Sequence, residues 1–369
     1  MKKFFLPILI LVLILPLMGA SCITFTSKEE TPADGGVFIS QDKGKTWEQK
    51  TYVRTAAKKR ETISAQNIMK MFLDPQDTQT IYAITERNGI YVTYNNGEKW
   101  DAFYSQSGRA YGVAVDPSSR NIIYISIGRK VIKTTDGGDT WDEIYFEALN
   151  GVTIKTITVD HYNSNIVYLG ASDGRLIKST DAGKTWNRSY DFPGTIAQVL
   201  INPQDSSIVY VATARNGVFR SGDYGRNWYN MSLGSNKIER ARLLKEYPGI
   251  NKFSVMIFDK TQKDAILIGT DYGLLKNENG KADWESIRLL TLPKKIDVVS
   301  LAMNPKNNQE IYYGINNALY FSKDGGKNWA SRSLPTGRMA QYILVNPDNP
   351  TTVYLGAYLP PPEDKGGIF

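Results

Sequence analysis

The chain holds 369 residues, 41% of them apolar, and carries a net charge of +7. Its single histidine, His161, excludes a His-rich zinc site, and a Ser-His-Asp triad would have to use that one residue. Its single cysteine, Cys22, excludes an internal disulfide.

The first element is not part of a fold. "MKKFFLPILILVLILPLMGASC" has a Lys2-Lys3 start, an apolar run from Phe4 to Met18 and small residues before Cys22, the pattern of a secretory signal over residues 1–21. Gly19-Ala20-Ser21-Cys22 resembles a bacterial lipobox, although Gly19 stands where Leu is usual and Leu17 lies two residues further back. The resemblance implies that Cys22 is acylated and becomes the mature N-terminus, with residues 22–34 as a polar tether. That would place the protein in the bacterial cell envelope, exported and lipid-anchored to a membrane. Ordinary cleavage and an uncleaved anchor are the alternatives, and the apolar run is short for a membrane span. Loss of residues 1–21 removes two lysines and lowers the net charge from +7 to +5.

From residue 35 onward the chain repeats. "SQDKGKTW" ends at Trp47, "TYNNGEKW" at Trp100, "TTDGGDTW" at Trp141, "STDAGKTW" at Trp186, "SGDYGRNW" at Trp228 and "SKDGGKNW" at Trp329. A degenerate copy, "NENGKADW", ends at Trp284, so all seven tryptophans close a copy. A second motif alternates with the first: an apolar residue, Asp or Asn, usually Pro, a polar loop, then an apolar-Tyr pair, as in "VDPSSRNIIY" and "INPQDSSIVY". A unit of 41 to 56 residues with short β-branched runs bounded by Gly, Pro, Asn and Asp fits a four-stranded propeller blade. Strand A ends at the Asp-Pro, strand B carries the Ile/Val-Tyr, strand C precedes the Trp motif and strand D begins at the Trp.

This predicts an all-β, seven-bladed β-propeller of four-stranded antiparallel blades over residues 35–369. Six blades are continuous in sequence. The seventh takes strands A and B from the C-terminal "YILVNPDNPTTVYLGAY" and strands C and D from "GVFISQDKGKTWEQK", a closure that removes exposed sheet edges. The terminal "GGIF" is a second candidate for that blade's strand C, or the start of further repeats in a longer protein.

At these residues the sequence resembles the Asp-box, or BNR, repeat proteins, whose signature is Ser/Thr-x-Asp-x-Gly-x-Thr-Trp in a β-propeller. The family includes sialidases, xyloglucanases, sortilin-type receptors and photosystem II assembly-factor-like lipoproteins. The pairing with the Asp-Pro motif is most similar to the sortilin-like and assembly-factor-like bacterial branch. The resemblance implies a structural role for Asp42, Asp136, Asp181, Asp223 and Asp324 and for the seven tryptophans, on the face opposite the ligand. Cation binding by these aspartates is the alternative, but their spacing is not that of an EF-hand loop, and no metal or cofactor is expected. The turn chemistry agrees: Asp181 accepts backbone N–H bonds, Gly183 supplies an unusual backbone conformation and Trp186 brings apolar surface between blades.

Function is then expected on the face of the B–C and D–A loops. Arg87, Arg129, Arg175 and Arg215 fall in B–C turns, and Arg109 and Arg338 in D–A loops, a set suited to carboxylate or other anionic ligands. Two basic D–A insertions decorate the same rim. One holds Arg54, Lys58, Lys59 and Arg60; the other is "SNKIERARLLKEYPGI", a candidate amphipathic helix with Ile238, Ala241, Leu244 and Leu243 inward. The expected function is a non-catalytic, envelope-anchored, monomeric scaffold, receptor or assembly factor that binds a protein or an anionic glycan. Nucleic acid is not expected, because the signal exports the chain and no base-stacking module is visible. The alternative is a sialidase-like or xyloglucanase-like glycosidase. It would draw on Glu86, Asp173, Asp191, Asp271 or Asp297 as acids and on Tyr111 or Tyr272 as a nucleophile. The Arg-Ile-Pro motif of sialidases is missing, and xyloglucanases of this type form their cleft from two propellers.

Overall fold

The structure is a computed structural model and describes residues 33–54, 61–106, 108–290, 298–316 and 318–361. Cys22, the signal, Lys58, Lys59, Arg60, Asp297 and "GGIF" lie outside the described residues. Seven four-stranded antiparallel sheets form the propeller. Blade 2 shows the pattern: strand A Ala110–Asp116, B Ser119–Ile127, C Lys130–Thr134 and D Asp142–Phe146. The motif positions fall where the sequence placed them.

The seventh blade is closed by both ends of the fold. Met339–Val345 and Val353–Tyr358 supply strands A and B, and Gly36–Ser40 and Glu48–Gln49 supply C and D. The junction pairs Gly36 with Ala357 through Ser40 with Val353 in one unbroken antiparallel register. Strand C of this blade is therefore "GVFIS".

The core is a set of interfaces between neighbouring blades. Strands B read as continuous apolar runs, "VYLGA", "VYVAT" and "ILIGT", and every residue in them is buried. A sheet covered on both faces demands such a run. Tyr124 and Val131 of blade 2, for example, pack with Ile154, Val167 and Leu169 of blade 3, and Trp186 covers them. The Trp186 indole N–H donates to the Ile144 carbonyl in the preceding blade's strand D at 2.9 Å. Trp100, Trp284 and Trp329 likewise reach the Lys50, Met231 and Arg288 carbonyls, each at 2.9 Å. Trp141 and Trp228 bond their own turn glycines instead, and the Trp47 N–H has no partner among the described residues.

Two insertions leave the repeat. Tyr52–Val53 and Glu61–Thr62 pair as a short hairpin after blade 7. Between blades 4 and 5 lies the helix Lys237–Glu246, capped by the Asn236 side chain, which accepts from Ile238 and Glu239 N–H groups. Its inward face differs from the sequence expectation. Leu243 is wholly buried and Leu244 partly so, whereas Ile238 is 83% exposed and Ala241 is exposed. The helix is anchored at its C-terminal end, where Leu243, with Tyr247 and Ile250 just beyond the helix, enters the interface of blades 4 and 5.

Candidate functional site

The Trp-motif turns hold one face. In "STDAGKTW" the Ser179 hydroxyl is buried; it donates to Asp181 Oδ1 at 2.8 Å and accepts the Gly183 N–H at 2.8 Å. Asp181 Oδ1 accepts the Thr185 N–H at 2.8 Å, and Oδ2 accepts the Thr185 hydroxyl at 2.6 Å. In blades 4 and 6 the side-chain amides of Asn227 and Asn328 replace that hydroxyl. These donors, the Thr185 side chain first, pull the Asp181 carboxyl down to about 2. Asp42 and Asp324 also fall to about 2, led by the Thr46 N–H and the Asn328 side chain, and Asp136 and Asp223 move the same way. The residue before the turn glycine donates its N–H to the A–B loop of its own blade, Ala182 to Asn165 O at 2.9 Å. Strand B tyrosines reach the next blade's turn, Tyr168 to Tyr224 O at 2.9 Å. The carboxylates are thus fully engaged in holding loops. Among the described residues, no group of three His, Cys, Asp or Glu side chains is placed to hold a metal ion.

The opposite face carries the B–C and D–A loops, and the six arginines divide there. Arg129 donates to the Glu147 and Ala148 carbonyls and to Asn150 Oδ1 at 2.8–3.0 Å. Arg175 pairs with Asp173 at 2.6 Å and Glu147 at 2.7 Å. Arg338 pairs with Asp34 at 2.9 Å and bonds Asn67 Oδ1 at 2.9 Å, tying the N-terminal segment to blades 7 and 1. Arg87, Arg109 and Arg215 are exposed, and none forms an ion pair with a described carboxylate.

The rim acids are occupied too. Glu86 accepts from the Asn67 amide at 2.9 Å, Asp173 and Asp191 pair with Arg175 and Arg188, and Asp271 pairs with Lys252 at 2.7 Å. Glu147 was not singled out in the sequence. It is buried at the end of strand D, where it accepts the Leu149 N–H at 2.8 Å and the Tyr145 hydroxyl at 2.9 Å. Burial alone would raise its pKa, but the Leu149 N–H, Tyr145 and Arg175 outweigh it and hold the carboxyl below the ordinary glutamate value. Exposed apolar side chains share this face: Phe146, Leu149, Ile238, Leu290 and Leu359. A second concavity of about 430 Å³ lies beside the helix insertion, between Pro193, Asn216, Leu233 and Arg240.

A channel of about 400 Å³ runs down the axis between the strands A of all seven blades. Strand A opens with a β-bulge in six of the seven blades, with Met69, Tyr111, Lys155, Ala197, Ser254 and Gln341 as the extra residues. A bulge bends the strand and re-aims its side chains. Composition alone carries no signal for this; the bulge follows from pairing register.

Two family profiles match the sequence. Residues 35–149 match "Sortilin, neurotensin receptor 3", and residues 111–235 match "Photosynthesis system II assembly factor YCF48". Over these residues the propeller is similar to the sortilin and YCF48 families. No curated protein matches it. Solved structures similar to this chain agree on the fold. YCF48 from Cyanidioschyzon merolae is 14% identical with a TM-score of 0.59, and the match covers 83% of this chain and 98% of that one. YCF48 bound to a D1 peptide is 16% identical with a TM-score of 0.57, covering 79% and 93%. The GH74 xyloglucanase of Xanthomonas campestris is 18% identical with a TM-score of 0.63, covering 79% of this chain and 51% of that one. The chain therefore spans about half the length of the xyloglucanase.

Proposed function

We propose that this propeller is a non-catalytic binding module that docks a protein partner on the face of its B–C and D–A loops. The observation that carries the reading is the composition of that face. Exposed Phe146, Leu149, Ile238, Leu290 and Leu359 accompany the exposed guanidinium groups of Arg87, Arg109 and Arg215. Apolar anchors with arginines mark protein-binding surfaces. Arg129, Arg175 and Arg338 act as loop ties that shape the face. YCF48 has been solved with a D1 peptide, which supports peptide or protein recognition by a propeller of this kind. An acidic or membrane-embedded partner fits the arginines. A lipid on Cys22 would hold the module at the envelope.

The test is capture from the native envelope with wild type, Arg87→Glu/Arg215→Glu and Leu149→Asp. Loss of one specific partner in both variants, with unchanged melting, is expected; undiminished capture overturns the reading. The GH74 likeness makes glycoside hydrolysis the second reading. Release of reducing ends from xyloglucan, abolished by Asp271→Asn, would establish that reading and overturn the non-catalytic one.

A further inference from the structure

On the loop face, the first turn of the channel concentrates positive charge around one residue. Lys70 follows the bulge of blade 1, lines the channel and donates to the Tyr111 carbonyl at 2.9 Å. Lys155, the bulge residue of blade 3, places its ammonium 4.1 Å from the Tyr111 ring centroid. The Arg109 guanidinium sits 5.6 Å from the same ring. Tyr111 is itself the bulge residue of blade 2. Three cations from three adjacent blades thus meet one tyrosine. None of them forms an ion pair with a described carboxylate, and the described lining of the channel holds no Asp or Glu. Burial and the neighbouring Lys155 charge pull the Lys70 amine down to about 8.

Such an arrangement is costly by itself. Like charges oppose one another, and a desolvated ammonium loses hydration that one carbonyl and a ring face do not replace. Ordinary surface lysines avoid this by pointing into water or pairing. Here Lys70, Lys155 and Arg109 converge on Tyr111 beside the channel. Three separate donors with up to three positive charges suit a ligand with several oxygens and two negative charges. A planar carboxylate offers one charge and two oxygens.

We propose that the cluster of Lys70, Lys155, Arg109 and Tyr111 beside the channel binds a tetrahedral doubly charged oxyanion: free sulfate, free phosphate or a terminal phosphate monoester. The site shares Arg109 with the docking face, but Arg87, Arg215 and Leu149 contribute nothing to it, so the docking variants leave it intact and the two readings are tested separately. The oxyanion would neutralise the cluster and lock blades 1, 2 and 3 together at their inner ends.

The experiment titrates the full protein with sodium sulfate at constant ionic strength and follows Lys70 by NMR of ¹³C-methylated lysine amines. Saturating sulfate should raise the Lys70 midpoint by about one pH unit, equivalent to roughly tenfold tighter sulfate binding to the protonated form. Lys155→Gln should weaken sulfate binding at least tenfold while leaving the melting temperature without sulfate unchanged or higher. Inorganic phosphate should match sulfate. Glucose 1-phosphate binding as tightly as phosphate would identify an esterified ligand, and weaker binding a free one; both support the site. A sulfate response identical in wild type and Lys155→Gln overturns the proposal, as does acetate binding as tightly as sulfate. Lys70→Met, if it folds, should abolish sulfate binding measured by calorimetry; if it does not, the Lys155→Gln comparison decides.

Discussion

At the scale of single residues, the Asp-box turn divides its work among four atoms. The first hydroxyl bridges carboxylate and glycine N–H, the carboxylate clamps the seventh residue, and the two residues before the lysine position take left-handed backbone. Ala182 has φ 57° and Gly183 φ 87°. A Cβ on Gly183 would stand 2.8 Å from Ile144 Cδ1 of the neighbouring blade. Gly183→Ala should therefore lower stability by about 1–3 kcal/mol, read by urea unfolding. Ser179→Ala removes a buried, fully bonded hydroxyl and should cost about 1–2 kcal/mol in the same measurement. The carboxylates act through pH. Asp42, Asp181 and Asp324 have folded values near 2, below the unfolded value of about 3.9. Their contribution is complete above that value and is lost as pH falls from about 4 through about 2. An Asp181→Asn/Asp324→Asn protein should show a shallower loss of stability between pH 4 and pH 2 than wild type. Asn95, which holds the same position in blade 1 and accepts from the Lys99 N–H at 3.1 Å, shows that an amide keeps the turn without the titration.

At the scale of elements, the tryptophans wedge between blades, and four of the seven also donate a hydrogen bond across the interface. Trp100 is wholly buried and bonds Lys50 O at 2.9 Å, whereas the Trp47 N–H is buried without a partner among the described residues. Trp100→Phe should cost more than Trp47→Phe by about 1 kcal/mol, because only the first leaves a carbonyl without its donor. Thermal unfolding of the two variants provides the check. The helix insertion makes a different point. Asn236 and Glu239 form an N-terminal cap in which Glu239 accepts the Ser235 N–H at 2.8 Å. The Asn-x-x-Glu spacing in "SNKIE" carries that signal, and it marks the helix start without saying which face turns inward. Leu243→Ala should destabilise by about 2–5 kcal/mol, and the exposed Ile238→Ser by very little.

At the scale of the whole molecule, closure decides stability. Strand B of blade 7 is paired on one side with strand A from the same end of the chain and on the other with Gly36–Ser40. The Arg338 guanidinium adds a second tie through Asp34 and Asn67. Removing residues up to Gln49 would leave Val353–Tyr358 as an unpaired apolar edge, a template for association. Size-exclusion chromatography should show the truncated protein self-associating, while Arg338→Ala stays monodisperse with a lower melting temperature. A ring built this way is rigid, so a docking face on its loops presents its groups with little ordering cost on binding.

The local content of the fold was legible in the chain because it recurs. Seven tryptophans at blade spacing, turn residues whose chemistry admits one geometry and strands read as short apolar runs determined the blade count, the strand order and the shared seventh blade. The same local chemistry explains why Asp181 and its counterparts hold turns. What recurrence cannot supply is which loop side chains meet one another. Arg175 and Arg215 both fall in B–C turns of successive blades, yet Arg175 opens its strand C with Asp173 and Glu147 within reach and Arg215 stands exposed two residues before strand C. Lys70, Tyr111 and Lys155 lie in three different repeats and share no motif. Only closing the ring and inserting a bulge into strand A bring them to one mouth, because packing and register act between units that the sequence presents one after another.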